Sequence, residues 1–318
     1  MPYNNVITRT NTAALIPEEY SAEVLKRLPT ASAALQLFRH VTMSRQQYRM
    51  PIMAALPVAY FVTGDTGLKQ TSEAQWSNKF LNAEEIACIV PIPEKVLEDA
   101  AFDIWAEVTP FVIEAIGRTL DAAVFFGTNK PASWPAAIVT EATAKGNVGV
   151  APTATPAEGG IVGDISKLMQ LIEEKGFDVS AIIAHRKMKG LLRQARGTTG
   201  EQLTAMDPGT EVEPAPTNVF SVPISYPMRG VWPTAAKSCE LILGDFSQGI
   251  LGVRQDFTWK LLDQAVINDT EGKVQYNLAQ QDMVGMRVVC RFAWEVANVT
   301  QPEGSATQYP FGILNSAT

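Results

Sequence analysis

The sequence predicts an α+β fold: one long helix, two long antiparallel strands and a smaller α/β segment. Three observations carry the prediction. Apolar residues recur at helical spacing through Phe102, Trp105, Val108, Val112, Ile116, Leu120 and Val124. Two-residue alternation runs through Leu251, Val253, Phe257, Trp259 and Leu261, and again from Met286 to Val296. Before those strands, Val179 to Ala184 reads as a short buried strand with helical patterns on both sides.

At the N-terminal end, Pro17-Glu18-Glu19 opens a short helix carrying Tyr20, Val24, Leu25 and Leu28, which Pro29 ends. It reads as an arm on the main body. From Arg49 the pattern is extended, with Val58 to Val62 on the way out, a polar stretch from Gly64 to Asn78, and Ile86, Cys88, Val90 and Ile92 alternating on the return. This predicts a long hairpin with a large polar tip. A tip so poor in apolar side chains has no core of its own, so it projects from the body until something covers it. A neighbouring subunit is one such cover.

Pro93 suits the first turn of a helix and Glu94 follows it, both favourable at a helix N-terminus. The long helix then runs from Phe102 to Phe126, about 37 Å at 1.5 Å per residue, with Pro110 as an expected kink and Gly127 as the stop. After a Pro/Ala/Gly-rich passage from Pro131 to Gly160, Asp164 is expected to cap a helix reaching Lys175-Gly176. The strand Val179 to Ala184 leads into a second helix, Arg186 to Arg196. A Pro-rich loop, Pro208 to Pro216, and a strand-like Val219 to Val222 close this α/β segment. In the first long strand Arg254, Asp256, Thr258 and Lys260 occupy the face opposite the apolar one, and Asn268 to Gly272 supplies a turn. In the second, Met286, Val288, Cys290, Phe292, Trp294 and Val296 face one way and Arg287, Arg291 and Glu295 the other. Trp259 and Trp294 both read as core.

Composition narrows the function classes. The chain has 318 residues, 46% of them hydrophobic and 19% charged, so it is globular and long enough for one large or two modest domains. Its formal charge of −7 argues against a general nucleic-acid reader. Cys88, Cys239 and Cys290 are far apart and form no Cys-x-x-Cys spacing, so neither a disulfide framework nor a zinc site is expected, and a reducing cytoplasm is the natural setting. No basic-then-apolar leader and no apolar run of roughly 20 residues is present, so no membrane partner is expected. His185 and His40 are the only histidines, and no Ser-His-Asp set, Gly-x-Ser-x-Gly elbow or phosphate-cradling glycine loop accompanies them. His185 reads as a helix-start residue. No catalytic, cofactor-binding or metal-binding residue is assigned, and the chain is expected not to be an enzyme. Arg186, Lys187, Lys189, Arg193 and Arg196 read as a solvated helix face, with DNA contact as the alternative, and Gly244-Asp245-Phe246 as a tight turn between strands.

Four stretches carry a family resemblance. Ala83-Glu-Glu-Ile-Ala-Cys-Ile-Val-Pro-Ile-Pro-Glu-Lys-Val-Leu-Glu-Asp99 leads into the long helix, and Leu120-Asp-Ala-Ala-Val-Phe-Phe-Gly127 leads out of it. Leu243-Gly-Asp-Phe246 precedes one long strand, and Gln281-Asp-Met-Val-Gly-Met-Arg287 opens the last. In this order, between about Tyr20 and Val299, the chain resembles the major capsid protein of tailed bacteriophages with the HK-ninety-seven-type fold.

The resemblance implies an N-terminal arm over 1–55 and an extended E-loop hairpin over 56–86. It implies a P-domain with spine helix and long strands over 87–150 and 245–290, and an A-domain with the chain end over 151–244 and 291–318. Function then means self-assembly into pentamers and hexamers of an icosahedral head shell around double-stranded DNA. Lys69, Trp76 and Lys79 on the hairpin are the candidate intersubunit contacts. Some family members crosslink an E-loop lysine to an asparagine of a neighbour; Lys69 or Lys79 stands in that place here, with no acceptor identified. The implied partners are further copies of the chain, a scaffolding protein, a portal, decoration proteins, and packaged DNA on the inner surface. The implied location is the virion, after assembly in the host cytoplasm. An encapsulin-type nanocompartment shell and a soluble α/β enzyme are the other classes considered.

Overall fold

The computed structural model describes residues 32–55, 57, 59–62, 68–69, 71–72, 74–100, 103–196, 218–227, 230–233, 239–269, 271–297 and 308–316. The arm helix expected at 17–29, the loop expected at 208–216 and part of the polar hairpin tip lie outside the described residues.

In chain order the elements begin with helix α1 (Ala33–Leu37) and strands β1 (Arg39–Thr42), β2 (Gln47–Ala55), β3 (Gln75–Asn82) and β4 (Glu84–Pro93). Helices α2 (Glu94–Asp99), α3 (Ile104–Asp121) and α4 (Ile138–Ala144) follow. Strand β5 (Val148–Ala151), helix α5 (Gly160–Glu173), strand β6 (Ala181–Ala184) and helix α6 (Lys187–Gln194) come next. Strands β7 (Asn218–Val219), β8 (Val222–Ser225), β9 (Cys239–Gly244) and β10 (Gly249–Leu262) lead to β11 (Val266–Asn268), β12 (Val274–Asn277), β13 (Met283–Val296) and β14 (Phe311–Ser316). Two compact units divide the chain: the first comprises residues 1–31, 84–117 and 254–292, the second 32–83, 118–253 and 293–318.

In the first unit β4 pairs antiparallel with β13 from Met283 opposite Pro93 to Phe292 opposite Glu84. Strand β10 lies on the other side of β13. The alternation predicted for β13 is met, with Met286, Val288, Cys290 and Phe292 buried and Arg287 and Arg291 exposed. Phe257 of β10 meets Phe292 edge-on with ring centroids 6.3 Å apart. Trp259 and Leu261 continue the apolar face of β10 but are 39% and 60% exposed, which corrects the core expectation for Trp259: the alternation continues to the end of the strand after its cover has stopped.

The long helix forms as predicted. Asp103 caps it, its Oδ1 accepting from the backbone N–H of Trp105 at 2.9 Å. Val112, Ile116 and Leu120, four residues apart, are the buried stripe. Pro110 sits inside the helix without ending it. The last turn, Ala122–Phe126, widens to π geometry, and Gly127 stops it in the left-handed conformation at φ 75°, its N–H donating to the Ala123 carbonyl.

The hairpin also forms, with its strands elsewhere than expected. Strand β2 pairs antiparallel with β3 from Gln47 opposite Asn82 onward, while 59–62 has no regular structure. The return strand expected at Ile86 to Ile92 belongs instead to the β4–β13 ladder. Its apolar positions match a long buried partner, whereas the mostly exposed strands β2 and β3 pair with each other.

The second unit is built on a six-stranded sheet in the order β5-β14-β9-β6-β8-β7. Every residue of β6 and β9 is buried, as expected for central strands. Ile165, Leu168 and Ile172 of α5 and Met188 and Leu192 of α6 pack with Ile182, Leu241 and Leu314 of the sheet in one core cluster. A separate aromatic group joins Phe38 to Phe125, Phe246 and Phe311, with ring centroids 5.9–6.5 Å from Phe38. Two local expectations change. Helix α5 begins at Gly160 after left-handed Gly159, so Asp164 lies inside it, and its carboxylate accepts from Thr153 N–H (2.9 Å) and Ala154 N–H (3.0 Å) of the preceding loop. Val219 to Val222 is a hairpin and not one strand, because Phe220 and Ser221 both take positive φ and form a two-residue turn between β7 and β8.

Candidate functional site

No described residues assemble a catalytic constellation. His185 does what a helix-start residue does: its Nδ1 accepts from the Lys187 N–H at 3.2 Å, and its ring lies edge-on to Trp232. The basic helix α6 is largely engaged within its own unit. Lys187 Nζ is 2.6 Å from Glu240, Lys189 lies 4.4 Å over the Tyr226 ring, and Arg196 donates to the carbonyls of Arg193 and Ala195. Gly244-Asp245-Phe246 is a turn, with Asp245 capping the short helical segment Phe246–Gln248. Burial pushes the Cys239 and Cys290 thiols up to about 12, so neither is a ready nucleophile. Among the described residues no group of three or more His, Cys, Asp or Glu is placed to hold a metal ion, and no helix is long and apolar enough to cross a membrane.

What the chain offers instead is surface. Trp76 on β3 is a large aromatic side chain that is 66% exposed. Lys69 is also exposed. Phe61 is fully exposed and Leu68 is 91% exposed. The third candidate, Lys79, is placed differently: its Nζ lies 3.2 Å from Oε1 of Glu295 on β13. Glu295 is largely buried, and its carboxyl is pushed up by that burial and held back by the Lys79 charge. Trp76 and Lys69 are thus exposed, while Lys79 is paired with Glu295.

The base of the hairpin is held by a small core in which Leu81 and Ala83 pack with Met43, Ile250, Ala293 and Ala297. The Trp134 indole N–H donates to the Asn82 carbonyl at 3.0 Å. At the start of the described chain, Asp121 anchors α1. Its carboxylate is fully buried and accepts from the Ser32 hydroxyl, the Ala33 N–H (2.9 Å) and the Ala34 N–H (3.1 Å). Burial pushes this carboxyl up to about 6 although all three donors pull it down. Asn147 plays a similar part in the sheet, donating to the carbonyls of Tyr309 (3.0 Å) and Phe311 (2.8 Å) and accepting from Lys175. These anchors were missed from sequence. The available signal was a single polar residue inside an apolar run, as Asp121 is between Leu120 and Ala122-Ala-Val-Phe-Phe126.

Residues 12–300 match the Phage capsid family, which is most of the chain. The chain belongs to the phage capsid family. Within that family the "Major capsid protein" of Staphylococcus phage 80alpha is 24% identical over 299 residues, covering 93% of this chain and 86% of that protein. A solved structure from Microbacterium phage Oxtober96 superposes with TM-score 0.81 at 35% identity, covering 98% of this chain and 100% of the other. One from Mycobacterium phage Adephagia gives 0.80 at 30% identity, with 99% of each chain covered. The "Capsid of native GTA particle" shares the fold at TM-score 0.63 and 17% identity. The matches are to structural capsid proteins and not to enzymes, and they favour a phage shell over a nanocompartment. The chain is a bacteriophage major capsid protein by family.

Proposed function

We propose that this chain assembles into pentamers and hexamers of an icosahedral head shell that encloses double-stranded phage DNA, through the HK-ninety-seven-type arrangement of its parts. The supporting observation is the exposed hairpin: Phe61, Leu68 and Trp76 present large apolar side chains that are mostly exposed, on a protein similar to capsid subunits over nearly its whole length. In this reading 56–86 is the E-loop, 87–150 and 245–290 the P-domain around α3 and the long strands, and 151–244 with 291–318 the A-domain and chain end. Lys69 and Trp76 contact the neighbouring subunit, and Lys79 sets the hairpin against the body from which it reaches. Arms and hairpins laid over neighbours bury interfaces above the ordinary size of roughly 1,600 Å² per pair, which suits a permanent shell. Assembly takes place in the host cytoplasm with a scaffolding protein, a portal and decoration proteins, and the DNA lies on the inner surface.

Negative-stain electron microscopy tests this directly on the protein expressed alone and with its genomic neighbours. Closed shells, tubes, or pentamers and hexamers are expected; a monodisperse monomer or dimer in both preparations overturns the proposal.

A further inference from the structure

The second unit carries a cavity of about 550 Å³ at one end of its six-stranded sheet, where β5 and β14 finish and β9 begins. The first turn of α5 forms one wall and the length of α6 another. The volume falls inside the roughly 300–1,000 Å³ of small-molecule sites. Pro152, Ala154, Ile161, Leu191 and Ala195 make much of the lining aliphatic.

Three charged side chains reach this cavity, and they are not equivalent. Glu240 is buried and its Oε1 lies 2.6 Å from Lys187 Nζ, so these two charges cancel. Arg196 is held without being neutralised: its Nη1 donates to the carbonyls of Arg193 (2.9 Å) and Ala195 (3.1 Å), and among the described residues no carboxylate pairs with it. Anchoring through Nη1 leaves Nε and Nη2, an edge of the guanidinium that suits a carboxylate through two parallel N–H bonds.

One uncompensated cation beside aliphatic walls selects among ligands. A nucleic-acid strand brings many charges and needs many cations. An amine would face Arg196 and compete with Lys187 for Glu240, and a neutral hydrocarbon would desolvate the guanidinium with no partner in exchange. A single negative charge on an aliphatic body satisfies both parts of the cavity.

We infer that this cavity binds a small aliphatic monoanion of the medium-chain carboxylate class, its acid group on Arg196 and its chain along Ile161, Leu191 and Ala195. The site lies within one unit of one chain, so its occupancy does not depend on assembly.

Isothermal titration calorimetry of the full chain with octanoate is the test. Saturable binding is expected. Butyrate should bind weaker by about tenfold or more, since each buried methylene is worth about fourfold. Octylamine, with the opposite charge on the same chain, should also bind about tenfold more weakly or worse. Arg196→Gln should weaken octanoate by about tenfold, with Arg196→Lys retaining part of the affinity. Gln194→Trp, which fills the cavity from an exposed position on α6, should abolish binding. Both positions are exposed, and circular dichroism with melting temperature shows that the variants are folded. No saturable octanoate binding overturns the inference. Equal affinity for octanoate and octylamine, or an affinity untouched by Arg196→Gln, overturns the anionic class. Octanoate binding that survives Gln194→Trp places the acid elsewhere on the chain and overturns the assignment to this cavity.

Discussion

The ammonium of Lys79 lies 3.2 Å from Oε1 of Glu295, and this ion pair joins strand β3 of the projecting hairpin to the buried end of strand β13. The two partners are unequal. The Glu295 side chain is 12% exposed and that of Lys79 is 38% exposed, so the carboxylate is the group that suffers if the pair is broken.

Replacing Lys79 with Met should therefore destabilise the subunit by about 1–2 kcal/mol at neutral pH, less than for a fully buried pair because solvent screens the lysine. The deficit should shrink as pH falls. Burial already raises the Glu295 carboxyl, and without Lys79 it rises further, so the proton that neutralises it binds more readily in the folded state. Denaturant unfolding of natural and Lys79→Met subunits at two pH values checks this. Equal stability of the two at neutral pH contradicts it.

A second pH effect belongs to Asp121. Its carboxyl is pushed up to about 6 in the folded subunit from an ordinary 3.8, so the folded state holds the proton more tightly than the unfolded one. Stability contributed by this group is thus fully present below the ordinary value and is lost as pH rises through the interval up to about 6. Asp121→Asn should flatten that part of the stability profile. It should also cost about 1–3 kcal/mol at neutral pH, because an amide offers fewer acceptors to the Ser32 hydroxyl and the Ala33 and Ala34 N–H groups. Thermal unfolding across this pH interval, compared between the two proteins, measures both effects.

How far the fold was legible in the sequence follows from the length of each pattern. The helix over Ile104–Asp121 and the alternation of Met283–Val296 repeat over many residues, and their periods outweigh local exceptions such as Pro110. Strand partners were not legible. The apolar residues Ile86, Cys88, Val90 and Ile92 identify a strand, yet nothing local says whether it returns a hairpin or pairs with β13 almost two hundred residues later. Turn chemistry was hidden at Phe220 and Ser221, which take positive φ although neither is glycine or asparagine. For the candidate site, Trp76 and Lys69 were legible as polar-tip residues. The Lys79–Glu295 pair was not, since Glu295 alternates onto the polar face and becomes buried only through tertiary packing.

Gly244 provides a test of packing at the end of β9. A Cβ there would lie 2.1 Å from the Pro310 carbonyl oxygen and 2.8 Å from the Phe311 Cα, both backbone atoms that cannot swing away. The residue also has φ 155°, at the edge of the region that side chains avoid. Gly244→Ala should separate β9 from β14 at this point and cost roughly 3 kcal/mol. A melting temperature unchanged from the natural subunit would show that the two strands can part more cheaply than their register implies.

Shortening the loop between Gly64 and Asn78 should leave the subunit folded and impair assembly, because that stretch has little apolar content for a core of its own. Circular dichroism reports the fold and electron microscopy the shells. Normal shells from the deletion would mean that the hairpin tip is dispensable.

Trp76→Ala separates stability from assembly with a single side chain. In the lone subunit the indole is 66% exposed, so its truncation should change unfolding free energy by no more than about 0.5 kcal/mol, as for most surface positions. If the indole is a buried anchor between copies, the same truncation should weaken each contact by about 2 kcal/mol or more, the range of interface hot spots. That loss recurs at every subunit contact, so the concentration of protein needed for assembly should rise steeply. The expected result is a subunit with an unchanged melting temperature that forms shells only at higher concentration, read by light scattering across a dilution series. A variant that melts earlier and assembles at the natural concentration would place Trp76 in the support of its own hairpin and remove it from the contact between copies.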